Sequence, residues 1–243
     1  MLIDWDAYLI FKTAGILTFI FAGSFFAHRK LRISFLKSLF ITTCAVGLGF
    51  VFSRFWYIVQ HAFGSESYDP ATFREAWDDA GSVLYGWIFG GAVAVVLLTQ
   101  GLKIHTIKFL DTVLPWMLVA QMLNRFGCFA GQCCWGKRTH FFISVWNFHE
   151  KALVHPAQLY EAAFDAALFI LIGSRARKTG QATYWYFFGY SFGRFFLEFL
   201  RGDNHPALLF LTVPQWAALF IMAGIYFLWK TPELKKSLAD DRL

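Results

Sequence analysis

Seven times in 243 residues the chain runs for roughly twenty residues with almost no charge, the length that spans a bilayer core as helix. The runs are Tyr8–Ala27, Leu39–Val59, Ser82–Gln100, Phe109–Leu123, Gln158–Gly173, Tyr184–Leu200 and Leu208–Trp229. The fourth and fifth are short for a full crossing, and are expected to be tilted, broken or partly inserted. With 57% hydrophobic residues and 30 phenylalanines, the chain carries more apolar surface than one soluble core of this size can hide. The expected fold is therefore an all-α polytopic membrane protein of about seven transmembrane helices, with residues 1–243 forming a single membrane domain.

Basic residues set the orientation. Thirteen lie in the linker Arg29–Lys37, at Lys103 and Lys108, at Arg175, Arg177 and Lys178, and in the tail from Lys230; six lie in the alternate connections. The positive-inside bias then puts the N-terminus outside and the C-terminus in the cytoplasm. The same sorting accounts for the net charge of +6 without nucleic acid, for which no motif exists. No cleavable leader is expected, because the N-terminus opens on Asp4 and Asp6 without a basic region. The outward loop 60–81 is acidic and predicts a short surface helix around Ala71–Ala80.

Polar residues then appear where a passive bundle has no need of them. Asn124-Arg125-Phe126-Gly127-Cys128, continuing to Trp135-Gly136-Lys137, sets an arginine, glycines and cysteines directly behind an apolar run. Such a charge needs water, a partner or a ligand, and glycines allow a tight turn or a close approach. His155-Pro156-Ala157-Gln158-Leu159-Tyr160-Glu161 opens the fifth run, with Pro156 suited to a first helical turn. Tyr190, Arg194, Glu198 and Arg201 recur at steps of four, four and three, making one polar stripe on a Phe-rich helix. The stripe reads either as the wall of a cavity or as structural ion pairing between helices. Tyr85 sits in the glycine-studded start of the third run, where small residues also serve close helix packing. Lys12 and Arg54 read as snorkelling cations or further candidates, and Asp111 and Pro115 are weaker signals.

Cys128, Cys133 and Cys134 form a C-x4-C-C cluster, with His140 and His149 nearby in sequence, whereas Cys44 stands alone in an apolar run. A disulfide from Cys128, free thiols and a metal site are all compatible with this spacing.

These blocks together resemble the prolipoprotein diacylglyceryl transferase family, from about Gly81 to Gly224. His155–Glu161 is similar to its H-P-x-Q-L-Y-E block, and Gly193–Arg201 with Asp203 to its G-R-F-x-x-E-F-x-R block. Asn124–Gly127, ending at Trp135-Gly136-Lys137, looks like its signature loop; Asp111, Pro115 and Pro214-Gln215 also fit. The resemblance implies a multi-pass enzyme of the bacterial cytoplasmic (inner) membrane, working in lipoprotein biosynthesis. It would move a diacylglyceryl group from phosphatidylglycerol to the lipobox cysteine of a preprolipoprotein signal peptide, with no cofactor and no metal. By matching positions, Arg194, Tyr190, Glu198, Tyr85, His155 and Glu161 are expected to serve catalysis. Arg125, Gly136, Arg201, Gln158 and Tyr160 are expected to bind substrate.

The pattern departs twice. Tyr85 stands where the family reads histidine, and Cys128 replaces an asparagine. Tyrosine is a far weaker proton acceptor at neutral pH than histidine. Tyr85 is therefore expected to donate a hydrogen bond to the lipid, with proton removal done elsewhere. Two rivals use the same residues: a non-enzymatic transporter or binder of an anionic lipid or solute, and a membrane metal or redox protein centred on the cysteines.

Overall fold

Each apolar run meets one helix. The computed structural model describes residues 5–64, 84–202 and 209–231. Among them are α1 (Trp5–Leu31), α2 (Phe35–Gly64), α3 (Leu84–Gly101), α4 (Thr106–Ala130), α5 (Ala157–Arg175), α6 (Gln181–Leu197) and α7 (Val213–Lys230). A small antiparallel hairpin, β1 (Val145–Asn147) and β2 (Ala152–Val154), pairs Val145 with Val154 and Asn147 with Ala152. By length and composition α1, α2, α4 and α5 are able to cross a membrane, and α3 is a shorter apolar helix. The helices present Phe21, Phe55, Phe89, Phe220 and Phe227 outward, as lipid-facing surfaces do. The protein is an all-α polytopic membrane protein. The surface helix expected at Ala71–Ala80 lies outside the described residues.

The fourth run differs from its expectation. Instead of stopping at Leu123, α4 continues through Asn124, Arg125, Phe126, Gly127 and Cys128 to Ala130, for 25 residues in all. The expected glycine turn after Arg125 is therefore helix, and the chain turns at Gly131 and Gln132 instead. Hydropathy falls at Asn124 and Arg125, but a neutralised arginine does not interrupt backbone hydrogen bonding. The fifth helix likewise reaches 19 residues, long enough to cross.

The chain forms two compact units, Ser24–Phe109 and Met1–Gly23 with Leu110–Leu243. In the first, α2 and α3 pack through glycine. A Cβ on Gly90 would lie 2.5 Å from the Leu48 carbonyl oxygen, and one on Gly86 2.5 Å from the Ser53 Cα. The small residues of the third run thus serve the close packing that their spacing suggests. Buried hydroxyls there find partners at home. Ser24 Oγ meets Thr42 Oγ1 at 2.8 Å, Ser38 Oγ donates to the Ser24 carbonyl at 3.0 Å, and Thr99 Oγ1 meets Thr106 Oγ1 at 2.7 Å.

In the second unit, α5, α6 and the turn after α6 carry the buried charge. Asp111 on α4 fastens the start of α6: it accepts from the Gly180 and Thr183 amides and, at 2.7 Å, from the Thr183 hydroxyl. Gly180 has φ 85, a left-handed conformation that suits glycine. A carboxylate at a helix N-terminus also meets the positive end of its dipole. The start of α7 is closed by a capping box between Thr212 and Gln215.

Candidate active site

The site is assembled where three backbone segments meet at Gly136. Its amide donates to the His155 carbonyl at 2.9 Å, Lys137 donates to Leu200 at 2.7 Å, and Gly202 donates to Trp135 at 3.0 Å. A Cβ on Gly136 would stand 2.6 Å from both the Cβ and the carbonyl oxygen of His155, and 2.9 Å from the Leu200 carbonyl oxygen. Only glycine fits between strands of backbone this close. The three sequence blocks are thus knotted together by main-chain hydrogen bonds at one residue.

Beneath this junction lies a buried charge cluster. Glu161, in the first turns of α5, receives Arg125 of α4 at 2.6 Å on Oε2, and Arg194 of α6 at 2.7 Å on Oε1. Arg201, which follows the 3-10 turn Glu198–Leu200, reaches the same Oε1 at 3.1 Å. Arg194 also contacts Glu198 at 2.9 Å, and Arg201 lies 3.8 Å from it. Thr212, the cap of α7, donates its hydroxyl to Glu198 at 2.9 Å. Glu161, Glu198, Arg194 and Arg201 are each at most 9% exposed, so no bulk water compensates these charges. Breaking one such pair leaves a buried charge unmatched and costs about 3–5 kcal/mol.

Among these touching groups, three guanidiniums face two carboxylates. The excess of one positive charge suits a singly charged anion such as a phosphodiester. Arginine presents paired donors to phosphate oxygens, and buried donors act more strongly than those in water.

The other expected residues fall around this cluster. Tyr190, one turn before Arg194, is buried within electrostatic range of Arg125 and Arg194. Its ring stacks on Tyr186 with centroids 6.0 Å apart. His155 Nδ1 is 3.3 Å from the Tyr160 hydroxyl, and both side chains are half-buried. Gln158 donates to the Cys133 carbonyl at 2.5 Å, which ties α5 to the signature loop. Tyr85 is in the first turn of α3, in the other compact unit, and its side chain lies outside the described residues. Lys12 donates to Tyr8 at 3.1 Å, and Arg54 lies over the Tyr57 ring at 5.8 Å.

The cysteines converge as well. The Sγ atoms of Cys128, Cys133 and Cys134 all lie within 4.8 Å of one another, as free thiols. Cys134 has φ 60 and Gln132 φ 55, left-handed conformations that residues other than glycine rarely adopt. Hydrogen bonds from Cys128 and Cys133, with the nearby Arg201 and Arg125 guanidiniums, pull the Cys134 thiol well below its ordinary range.

Three residues inside the fold escaped the sequence reading: Gln121, half-buried with both amide atoms buried, and the buried Asp165 and Tyr186. Each sits four residues from one that was singled out, Arg125, Glu161 and Tyr190 respectively. Asp165 carried the clearest signal, a second carboxyl one turn after Glu161 within an apolar run, 2% exposed in the fold.

The family description "Prolipoprotein diacylglyceryl transferase" matches residues 2–230. The phosphatidylglycerol–prolipoprotein diacylglyceryl transferase of Clostridium tetani is 38% identical over 159 residues, covering 60% of this chain and 62% of its own. Its Clostridium perfringens counterpart, numbered 2, is 32% identical over 64% of both chains. The Streptococcus agalactiae enzyme of the same name is 29% identical over 74% of both. The chain thus spans less than two thirds of the length of the two clostridial relatives. With the family pattern covering nearly all of the sequence, this chain belongs to the prolipoprotein diacylglyceryl transferase family.

Proposed function

We propose that the protein transfers the diacylglyceryl group of phosphatidylglycerol to the lipobox cysteine of a preprolipoprotein signal peptide. The observation that carries this reading is the convergence of Arg125, Arg194 and Arg201 on Glu161, where three guanidiniums touch only two carboxylates. The printed names of the relatives supply the substrate pair, and the cluster supplies a chemical reason for it. The sulfur of the acceptor thiolate attacks the glyceryl carbon that carries the phosphate. A carbon–sulfur bond forms, the carbon–oxygen bond breaks, and glycerol 1-phosphate leaves with the bonding electrons.

Charge then grows on the departing phosphate, and the guanidiniums are held to meet it without rearranging. Glu161, with both oxygens taken by arginines, acts as their positioning residue and is ill placed to accept the thiol proton. Glu198, held by Thr212, steadies Arg194 in the same way. The pair His155 and Tyr160 lies at the junction and can accept and pass on that proton. Gln158 and Gly136 keep the signature loop seated beside the arginines.

The setting is the bacterial cytoplasmic membrane, with a single membrane domain, the N-terminus outside and the C-terminus in the cytoplasm. Supporting this are the sorting of basic residues and the need for the acceptor peptide to meet the signature loop on the outer side.

The test is reconstitution of the purified protein with labelled phosphatidylglycerol and a lipobox peptide. A thioether-linked diacylglyceryl peptide and one glycerol phosphate per turnover are expected. Lipid binding or movement without that product would favour the transporter reading and overturn this one.

A further inference from the structure

One to two helical turns from the arginine cluster, three side chains from three helices come together. Gln121 is four residues before Arg125 on α4, Asp165 four after Glu161 on α5, and Tyr186 four before Tyr190 on α6. Because α4 and α6 enter the cluster by their C-terminal halves and α5 leaves it by its first turns, all three steps run the same way. Each step is about 6 Å along a helix axis. Tyr186 is 1% exposed, within electrostatic range of Asp165 and close enough to Gln121 to interact with it. Yet the Tyr186 hydroxyl and both amide atoms of Gln121 are buried without completing a hydrogen bond.

Unmet polar groups are rare in native interiors, and within a membrane no bulk water relieves them. They are tolerated where a ligand completes them. The order of chemistry along the site limits what that ligand is. First come three guanidiniums for an anion, then, one to two turns along the helices, two neutral donors, Gln121 Nε2 and Tyr186 Oη. Deeper still, α4 and α5 present the buried apolar side chains Leu114, Leu118 and Leu168. A diacyl glycerophospholipid follows the same order: phosphate, a pair of ester carbonyls that only accept hydrogen bonds, then acyl chains.

We propose that Gln121 and Tyr186, with Asp165 beside them, form a subsite for the ester carbonyls of the donor lipid. Through it the protein selects diacyl ester lipids over dialkyl ether lipids with the same headgroup. This deepens the transfer reading and rests on it for the identity of the lipid.

The experiment measures transfer to a lipobox peptide from diester phosphatidylglycerol and from dialkyl ether phosphatidylglycerol of equal chain length. It compares the parent, Tyr186→Phe, Gln121→Leu and the double variant, with melting temperatures taken in each lipid. The parent should favour the diester by roughly tenfold or more, as expected when a site built to hydrogen-bond a group meets an analogue lacking it. The double variant should handle the two lipids within about twofold, by losing diester rate. Lipid-free, it should melt at or above the parent, because apolar replacements remove groups that were buried unmet.

Equal use of the two lipids by the parent would overturn the subsite. So would parental preference in the double variant, or loss of preference with a much lower melting temperature, since the groups would then be structural. Should the parent yield no thioether product from either lipid, the transfer reading fails separately. Melting then decides the subsite: a larger shift with the diester upholds it, and equal shifts overturn it.

Discussion

The two compact units solve burial in opposite ways. Among the described residues of Ser24–Phe109, buried polarity is confined to hydroxyls such as Ser24, Thr42 and Thr99, each matched by a neighbour, and glycines let α2 and α3 touch. In the unit holding α4 to α7, two arginines, two glutamates and an aspartate are buried together beside the half-buried Arg125, and the Gln121 and Tyr186 polar groups remain unmatched. Packing of the first kind stabilises at little cost. Burial of the second kind costs desolvation that ion pairing only partly offsets, so it persists where chemistry requires it.

The largest effect expected from breaking that contrast comes at Arg194. Removing one preorganised donor to a developing charge typically lowers turnover by about 100- to 1,000-fold. Arg194→Gln should do at least that, and Arg125→Gln should act similarly. Because Arg194 pairs with both Glu161 and Glu198, the variant should also lose about 3–5 kcal/mol of stability. Adding Glu198→Gln to Arg194→Gln should recover part of that stability and none of the rate. Thermal melting and single-turnover transfer on the same preparations check both. An active double variant would mean that the cluster is structural ion pairing alone.

Glycines sharpen the contrast with a smaller change. Gly136→Ala and Gly90→Ala each drive a Cβ to about 2.6 Å or less from a backbone oxygen. Overpacking of this kind costs about 1–3 kcal/mol. Transfer per folded molecule should fall only in Gly136→Ala, which forces His155 and Leu200 away from the signature loop. Gly47→Ala, with nothing within 4 Å, serves as the neutral control. Equal loss of specific transfer in the Gly136 and Gly90 variants would remove the distinction between the units.

How much of this was legible in the sequence follows from what hydropathy and spacing can register. The helices were, because each needs a long apolar run. The stripe Tyr190, Arg194, Glu198 was, because spacings of four share a helix face. The end of α4 was not, since an arginine whose charge is met by Glu161, 36 residues onward, looks locally like the start of a loop. The meeting of three segments at Gly136 was not either. A glycine beside a tryptophan says nothing of which distant carbonyls will press against it. Nor was the hairpin of β1 and β2, whose three-residue strands are too short to give an alternating pattern.

Tyr85 tests whether the unit of matched hydroxyls also contributes a group to the chemistry. Tyr85→Phe should lower transfer by roughly tenfold, the cost of about 1–3 kcal/mol for leaving a polar partner unmet, and should leave melting near the parent. Tyr85→His, restoring the family's residue, should stay at least partly active. Parental rates in Tyr85→Phe would show the hydroxyl idle and confine the chemistry to the other unit.

The smallest effect on transfer is expected at the cysteines, although they adjoin the arginines. In the proposed transfer the thioether forms on the acceptor's sulfur, so Cys128, Cys133 and Cys134 changed together to Ser should keep most of the activity. Their chemistry is visible instead through alkylation. The Cys134 thiol is pulled down chiefly by hydrogen bonds from Cys128 and Cys133, aided by Arg201 and Arg125. Only the thiolate reacts with iodoacetamide. A group already ionised at neutral pH gains nothing from further alkali, so Cys134 labelling should stay flat from pH 6 to pH 9. An ordinary thiol, with its pKa near about 8.5, would gain almost tenfold per unit over the lower part of that range. Cys128→Ser and Cys133→Ser together should weaken the hydrogen bonds to the thiolate and raise the Cys134 pKa toward the ordinary value. Its labelling should then become pH-dependent, as site-resolved mass spectrometry would read. Labelling that already climbs with pH in the parent would mean that the thiols do not share a proton network beside the arginines.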